Sequence, residues 1–183
     1  MGKKLVSSRD TPTKKQLFRQ LNAREKGVAI VMLAALLVGL WLPARIIIST
    51  SPSLTHRIFF LVPAEREKIY SGDYLVFKAK EGEISFIRQG LNEKNDMLIK
   101  RVGCAPGELL TRNKNRAWLC ERKNLGISLE TDSQGRTLPQ FQFAGIVPQD
   151  NYFMVGDDPR SFDSRYFGFI HGDDVLYQAL PLW

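Results

Sequence analysis

The chain has 183 residues, 44% of them hydrophobic and 25% charged, which gives room for one folded domain with an appended segment and excludes a wholly disordered or repetitive chain. Its net charge of +7 would suit a nucleic-acid partner if it lay on one folded face. Instead residues 1–27 carry Lys3, Lys4, Arg9, Lys14, Lys15, Arg19, Arg24 and Lys26 against only Asp10 and Glu25, so the charge belongs to a tail, and no nucleic-acid partner is expected.

The first expected segment is that basic tail, residues 1–26. It has helix formers between Lys14 and Arg24 but no strong apolar face. Next come residues 27–44, Gly27 to Ala44, uncharged and mostly apolar. A helix of that length spans about 27 Å, enough to cross a thin bilayer. Arg45 can snorkel to the interface, Ile46–Ile48 extend the apolar stretch, and Trp41 suits an interfacial position. A cleaved signal peptide is the rival, but the region before the apolar run is long and Leu42 occupies the place of a small residue two before Ala44. A buried helix of a soluble domain is the other alternative, but the run is apolar all round, which suits a membrane span. The reading is an anchor over residues 27–48, a cytoplasmic tail, and an exported domain over residues 49–183.

Beyond the anchor the pattern changes to short β runs, punctuated by Gly, Pro, Asn and Asp. They are Ile58–Val62, Tyr74–Phe77, Ile84–Ile87, Met97–Val102, Tyr152–Val155 and Val175–Tyr177. Residues 122–145 are polar and without clear period, and read as an inserted loop or short hairpin. The fold class is therefore mostly β. The two cysteines, Cys104 and Cys120, both lie in the exported part, where an oxidising compartment lets such a pair cross-link. Two buried free thiols are the alternative. Neither their spacing nor a nearby histidine points to zinc.

The chemistry centres on Ser53 and Lys100. A serine hydroxyl attacks poorly until a base takes its proton. His56 is too near Ser53 in sequence to fold back onto it from an extended segment, and His171 sits in a glycine-containing loop. Lysine serves as a base only where burial depresses its pKa. Strand alternation puts Leu98, Lys100 and Val102 on one face, which is an apolar setting for an amine. Taken alone, that segment is equally an edge strand whose lysine snorkels to solvent.

Four blocks occur in order: Ser51-Pro52-Ser53-Leu54, Gly72-Asp73-Tyr74-Leu75-Val76-Phe77, Lys100-Arg101-Val102-Gly103 continuing to Pro106-Gly107-Glu108, and Gly156-Asp157-Asp158 continuing to Phe162-Asp163-Ser164-Arg165-Tyr166-Phe167-Gly168. Together they resemble the type I signal peptidase family over about residues 28–177, the last block most specifically. The resemblance implies an antiparallel β-sheet peptidase domain behind one N-terminal transmembrane helix. It makes Ser53 the nucleophile, Lys100 the general base and Ser51 an oxyanion donor. Ser161 would orient the lysine, and Asp163 and Arg165 would form a structural ion pair. Small size, a single span and Ser-Pro-Ser-Leu place the chain nearest the conjugative-transfer, TraF-like branch. Thr55, Arg57 and Phe59 depart from that branch, and Leu54 stands where general leader peptidases have Met.

The expected function is a membrane-anchored serine endopeptidase of a bacterial inner membrane, with its catalytic domain in the periplasm. The expected partners are membrane lipid, a precursor that is exported or membrane-held, and conjugation-channel components. The precursor would be a propilin, with cyclisation as one fate of the acyl-enzyme. A general type I signal peptidase acting on signal-peptide-bearing precursors is the alternative within the family. A non-enzymatic scaffold of a secretion channel is the alternative of another class, and it would have no need of Ser51, Ser53, Lys100 and Asp163–Arg165 together. No metal and no cofactor is called for.

Overall fold

In a computed structural model of the chain, the described residues are 22–41, 45–50, 52–79 and 97–183. Ser51 and the expected strand Ile84–Ile87 lie outside them, as does nearly all of the basic tail.

One unit holds a single described helix, α1 (Ala23–Trp41). Its apolar residues are exposed all round, from Val28 and Ile30 to Leu40 and Trp41. Among the described residues no helix is long and apolar enough to cross a membrane. The physical reason is visible in the sequence: α1 has 19 residues, and its first turn contains Arg24, Glu25 and Lys26. The expected anchor of residues 27–48 is also divided. Residues 42–44 lie outside the description, and Ile46–Ile48 leave the helical pattern to form a strand. Three successive β-branched residues favour that strand over a helical continuation.

The second unit is built of antiparallel strands. They are β1 (Ile46–Ile48), β2 (Ile58–Val62), β3 (Tyr74–Lys78), β4 (Met97–Cys104), β5 (Leu109–Arg112), β6 (Ala117–Cys120), β7 (Lys123–Ile127), β8 (Gly145–Ile146), β9 (Asn151–Val155), β10 (Ile170–His171) and β11 (Val175–Pro181). A short helix, α2 (Ser164–Phe167), follows β9. The strands form a seven-stranded sheet in the order β1-β2-β11-β3-β4-β9-β10 and a four-stranded sheet in the order β7-β6-β5-β8. The mostly β expectation holds.

β4 sits between β3 and β9, with Leu75 opposite Lys100 and Met154 opposite Val102. Side-chain alternation then packs Leu75, Phe77, Val102 and Met154 into one core cluster, with Leu98 against it. A second cluster lies under the small sheet and holds Leu110, Trp118, Leu125, Phe153 and both cysteines. Cys104 and Cys120 are joined as a disulfide that links the end of β4 to the end of β6.

The region 122–145, read as a loop or short hairpin, contains β7, the isolated bridge Thr131–Thr137 and the start of β8. The small sheet went largely unseen because its tight turns lack the usual glycines. Arg116 and Glu121 take positive φ, at 61° and 54°, a conformation in which glycine or asparagine is the ordinary signal.

Candidate active site

Ser53 lies in the turn before β2 and is buried at 6% exposure. Its backbone carbonyl accepts from two consecutive amides, Asp157 N–H at 2.7 Å and Asp158 N–H at 3.3 Å. The carboxylate of Asp157 extends this clamp. One oxygen accepts from the Thr55 N–H at 3.0 Å, the other from Arg101 Nε at 2.9 Å. Arg101 neighbours Lys100 on β4. The loop after β9 thus ties the serine turn to the strand that carries the lysine. These Nε and N–H bonds hold Asp157 below the usual carboxylate range despite the opposing effect of partial burial.

Lys100 is buried at 6% exposure. Of the two readings left open by its local sequence, the buried amine is the one found. Burial pushes its amine down from 10.5 to about 8, the nearby Arg165 pushing the same way, and Asp163 opposes the shift. Its Nζ donates to Ser161 Oγ at 2.8 Å. Ser161 can come so close because Gly156 has no side chain. A Cβ there would stand 2.1 Å from Ser161 Oγ and 2.9 Å from the Ser53 carbonyl oxygen. Gly156 is therefore required by close approach, with Ser161 on one side and the Ser53 backbone on the other.

The loop is held from behind by a buried ion pair. Asp163 and Arg165 are 0% and 1% exposed, with Nη2 and Oδ2 2.7 Å apart. Asp163 also accepts from the Gly156 N–H at 2.8 Å. Arg165 donates to the carbonyls of Ser161, Asp158 and Ile127. Ser164 adds a bond from the Met154 N–H to its hydroxyl at 2.8 Å. A buried pair is worth little unless its remaining donors and acceptors are also satisfied, and here the backbone satisfies them.

A model of the family described as signal peptidase, peptidase S26, matches residues 22–183 of the chain. The chain belongs to the S26 signal peptidase family. Two signal peptidases I from Buchnera aphidicola are similar to it over short stretches. That of the Schizaphis graminum symbiont is 46% identical over 39 residues, 21% of this chain and 12% of that protein. That of the Acyrthosiphon pisum symbiont is 37% identical over 51 residues, 27% and 16% respectively. The chain therefore matches well under a fifth of the length of either relative. The crystal structure of a signal peptidase I from Enterococcus faecalis superposes with a TM-score of 0.35 at 23% identity, over 59% of this chain and 93% of that one.

In this S26 chain the loop after β9, with the short helix that follows it, carries Ser161, Asp163 and Arg165, meets the Lys100 amine through Ser161 and holds the Ser53 carbonyl through its amides, whereas Ser51 lies outside the described residues. The histidines stand apart. His171 is half-exposed beside Asp173, its Nδ1 accepting from the Asp173 N–H at 3.3 Å. His56 packs edge-on against Tyr74 with ring centroids 5.8 Å apart. Gly156, Arg101 and Asp157 were not singled out by sequence reasoning, although all three fall within quoted blocks. Cys104, Cys120 and Glu108 bring ligand-type atoms within 4.8 Å of one another, but the two sulfurs are spent on each other, so the trio does not suit a metal.

Proposed function

We propose that the chain is a serine endopeptidase that cleaves exported precursors at a membrane surface. The observation that carries this reading is Lys100: a buried amine whose pKa is pushed down to about 8, hydrogen-bonded to Ser161 of the same loop whose Asp157 and Asp158 amides clamp the Ser53 carbonyl.

In this mechanism neutral Lys100 takes the proton from Ser53 Oγ as that oxygen attacks the scissile carbonyl. Collapse of the tetrahedral intermediate breaks the C–N bond, and the proton passes from Lys100 to the leaving amine. Water then attacks the acyl-enzyme, giving its proton to Lys100, and Ser53 regains a proton as the acid departs. The Ser53 N–H and the Ser51 hydroxyl stabilise the oxyanion. The tail is cytoplasmic, the apolar segment that begins at Gly27 supplies the anchor, and the β domain, which already includes Ile46–Ile48, acts on the outer face of a bacterial inner membrane.

Within this reading the substrate is a propilin of a conjugation system. Ser-Pro-Ser-Leu at Ser51–Leu54, with Leu54 where general leader peptidases have Met, supports this reading. The test is mass spectrometry of candidate precursors incubated with the protein in lipid vesicles. A pilin precursor and an ordinary signal-peptide-bearing precursor are run in parallel, against Ser53→Ala and Lys100→Ala. Cleavage of the pilin alone supports the finer reading, and cleavage of both supports the general one. Cleavage that survives either substitution rejects the dyad.

A further inference from the structure

The small sheet carries a cleft that the peptidase reading does not use. Its volume is about 690 Å³, and it is lined by Arg112, Arg116, Glu130, Gln140, Gln142 and Phe143 among others. β8 pairs with β5 only through Leu109 and Leu110. Beyond that pairing the cleft opens beside Arg112, where Gln140, Gln142, Phe143 and Ala144 form part of its lining.

Arg112 is held by several contacts but by no counter-ion among the described residues. Its guanidinium lies over the Trp118 ring, 5.4 Å from the centroid. Nη2 donates to Gln140 Oε1 at 2.8 Å and Nη1 to the Phe141 carbonyl at 3.3 Å. Gln140 is itself fixed, donating to the Leu129 carbonyl at 2.7 Å. Among the described residues both of Arg112's acceptors are neutral, and its Nε is buried with no hydrogen-bond partner, out of a ligand's reach. A guanidinium offers five N–H donors, so one further N–H on each of Nη1 and Nη2 is left without a partner among the described residues. A half-buried cation without an anion is costly, and the matching ligand for its planar fork is a carboxylate.

The cleft's other charges limit what can enter. Arg116 is already paired with Glu130 at the cleft wall. Glu130 therefore opposes a polyanion and leaves one unmatched positive charge. The volume is at the scale of a drug-sized ligand, far beyond a lone acetate or phosphate. The side-chain amides of Gln142 and Asn113 suit a peptide backbone, and Phe143, stacked on Phe141 at 6.1 Å, offers an apolar wall.

We propose that this cleft docks an extended peptide segment through a single carboxylate side chain held by Arg112. The site would take an Asp- or Glu-bearing stretch of a polypeptide, outside the Ser53/Lys100 centre, and is independent of the catalytic reading.

The test is fluorescence anisotropy with two labelled, end-capped hexapeptides, Gly-Phe-Glu-Gly-Phe-Gly and its Gln counterpart, on the full chain. The Glu peptide should bind at least tenfold more tightly than the Gln peptide, and more weakly as salt rises. Arg112→Gln should remove that preference while thermal unfolding and precursor cleavage persist. Glu130→Gln serves as the second variant. Its side chain is 72% exposed, so the fold should tolerate the change, and it should tighten the Glu peptide several-fold. Equal binding of both peptides, or a preference that survives Arg112→Gln, overturns the proposal. So does a Glu130→Gln variant that binds the Glu peptide no better than the parent. Sodium acetate that displaces the Glu peptide at concentrations matching the peptide's own affinity would show a simple anion site, and the peptide assignment would fall.

Discussion

Lys100 Nζ and Ser161 Oγ are joined by a 2.8 Å hydrogen bond, with both residues buried. The serine keeps the amine in place without giving it a counter-ion, so its charged form stays disfavoured. A carboxylate in the same position would raise the lysine's pKa and leave it protonated at neutral pH.

Activity should therefore rise as pH increases through about 8, where Lys100 loses its proton, and level off above. Below that midpoint the rate should fall about tenfold per pH unit, because only the neutral amine accepts a proton. Lys100→Arg should be inactive at every pH the fold survives, since arginine stays charged. A pH–rate profile of precursor cleavage checks this. Turnover that survives Lys100→Arg would show that another residue is the base.

The same shift makes a stability prediction with the opposite bearing on fitness. The unfolded chain holds this proton to about pH 10.5, whereas the folded chain releases it near 8. Between those values the unfolded state binds more protons, so raising pH through the window stabilises the fold. Below pH 8 the fold bears the whole cost, about 3 kcal/mol. Lys100→Met should thus be inactive yet more stable than the parent at pH 6, with the gain fading above pH 8 and gone by about pH 11. Denaturant midpoints at several pH values measure it. A methionine variant less stable at pH 6 would mean that the lysine is charged and paired in the fold.

The ion pair behind the loop should behave as a unit. Asp163→Ala leaves Arg165 charged and buried, which should cost about 3–5 kcal/mol. Replacing both residues by leucine should recover part of that stability, because no lone charge remains. Cleavage should not recover with it. Arg165 also holds the Ser161 carbonyl at 3.2 Å, and Asp163 the Gly156 N–H at 2.8 Å. Unfolding midpoints and turnover, compared across the single and double variants, separate the two effects. A double variant with near-normal turnover would show that the pair serves stability alone.

The reach of sequence reading follows the range of the interactions. Alternation along Leu98, Lys100 and Val102 was local and sufficed to place the lysine on an apolar face. The main strands were legible for the same reason. The clamp on Ser53 was not, because Asp157 reaches Thr55 and Arg101 across 102 and 56 residues. No local pattern encodes such a contact. Gly156 was also silent, since its role appears only once Ser161 and the Ser53 carbonyl crowd its missing side chain. The small sheet escaped because positive φ at Arg116 and Glu121 supplies its turns without glycine.

The Cys104–Cys120 bridge gives the last prediction. Cys104 closes β4, four residues after Lys100, and Cys120 closes β6, so the bond ties the strand that carries Lys100 to the small sheet. Both cysteines are buried in the cluster of Trp118, Leu125 and Phe153. The cysteines are 16 residues apart, and a loop of that size stabilises by about 3 kcal/mol in the chain-entropy model. Cys104→Ala and Cys120→Ala should therefore destabilise by similar amounts, each also leaving a small cavity. The double variant should lose little more, since either change already removes the bond. Reductant should lower the parent's unfolding midpoint toward that of the variants and leave the double variant unmoved. Below its lowered midpoint the double variant should still cleave precursor, because Lys100 owes its burial to Leu75, Leu98 and Val102 rather than to the sulfurs. Two thiols that alkylate freely in native protein from an oxidising compartment would refute the bridge, and cleavage lost with the bond at low temperature would show that the disulfide positions the base.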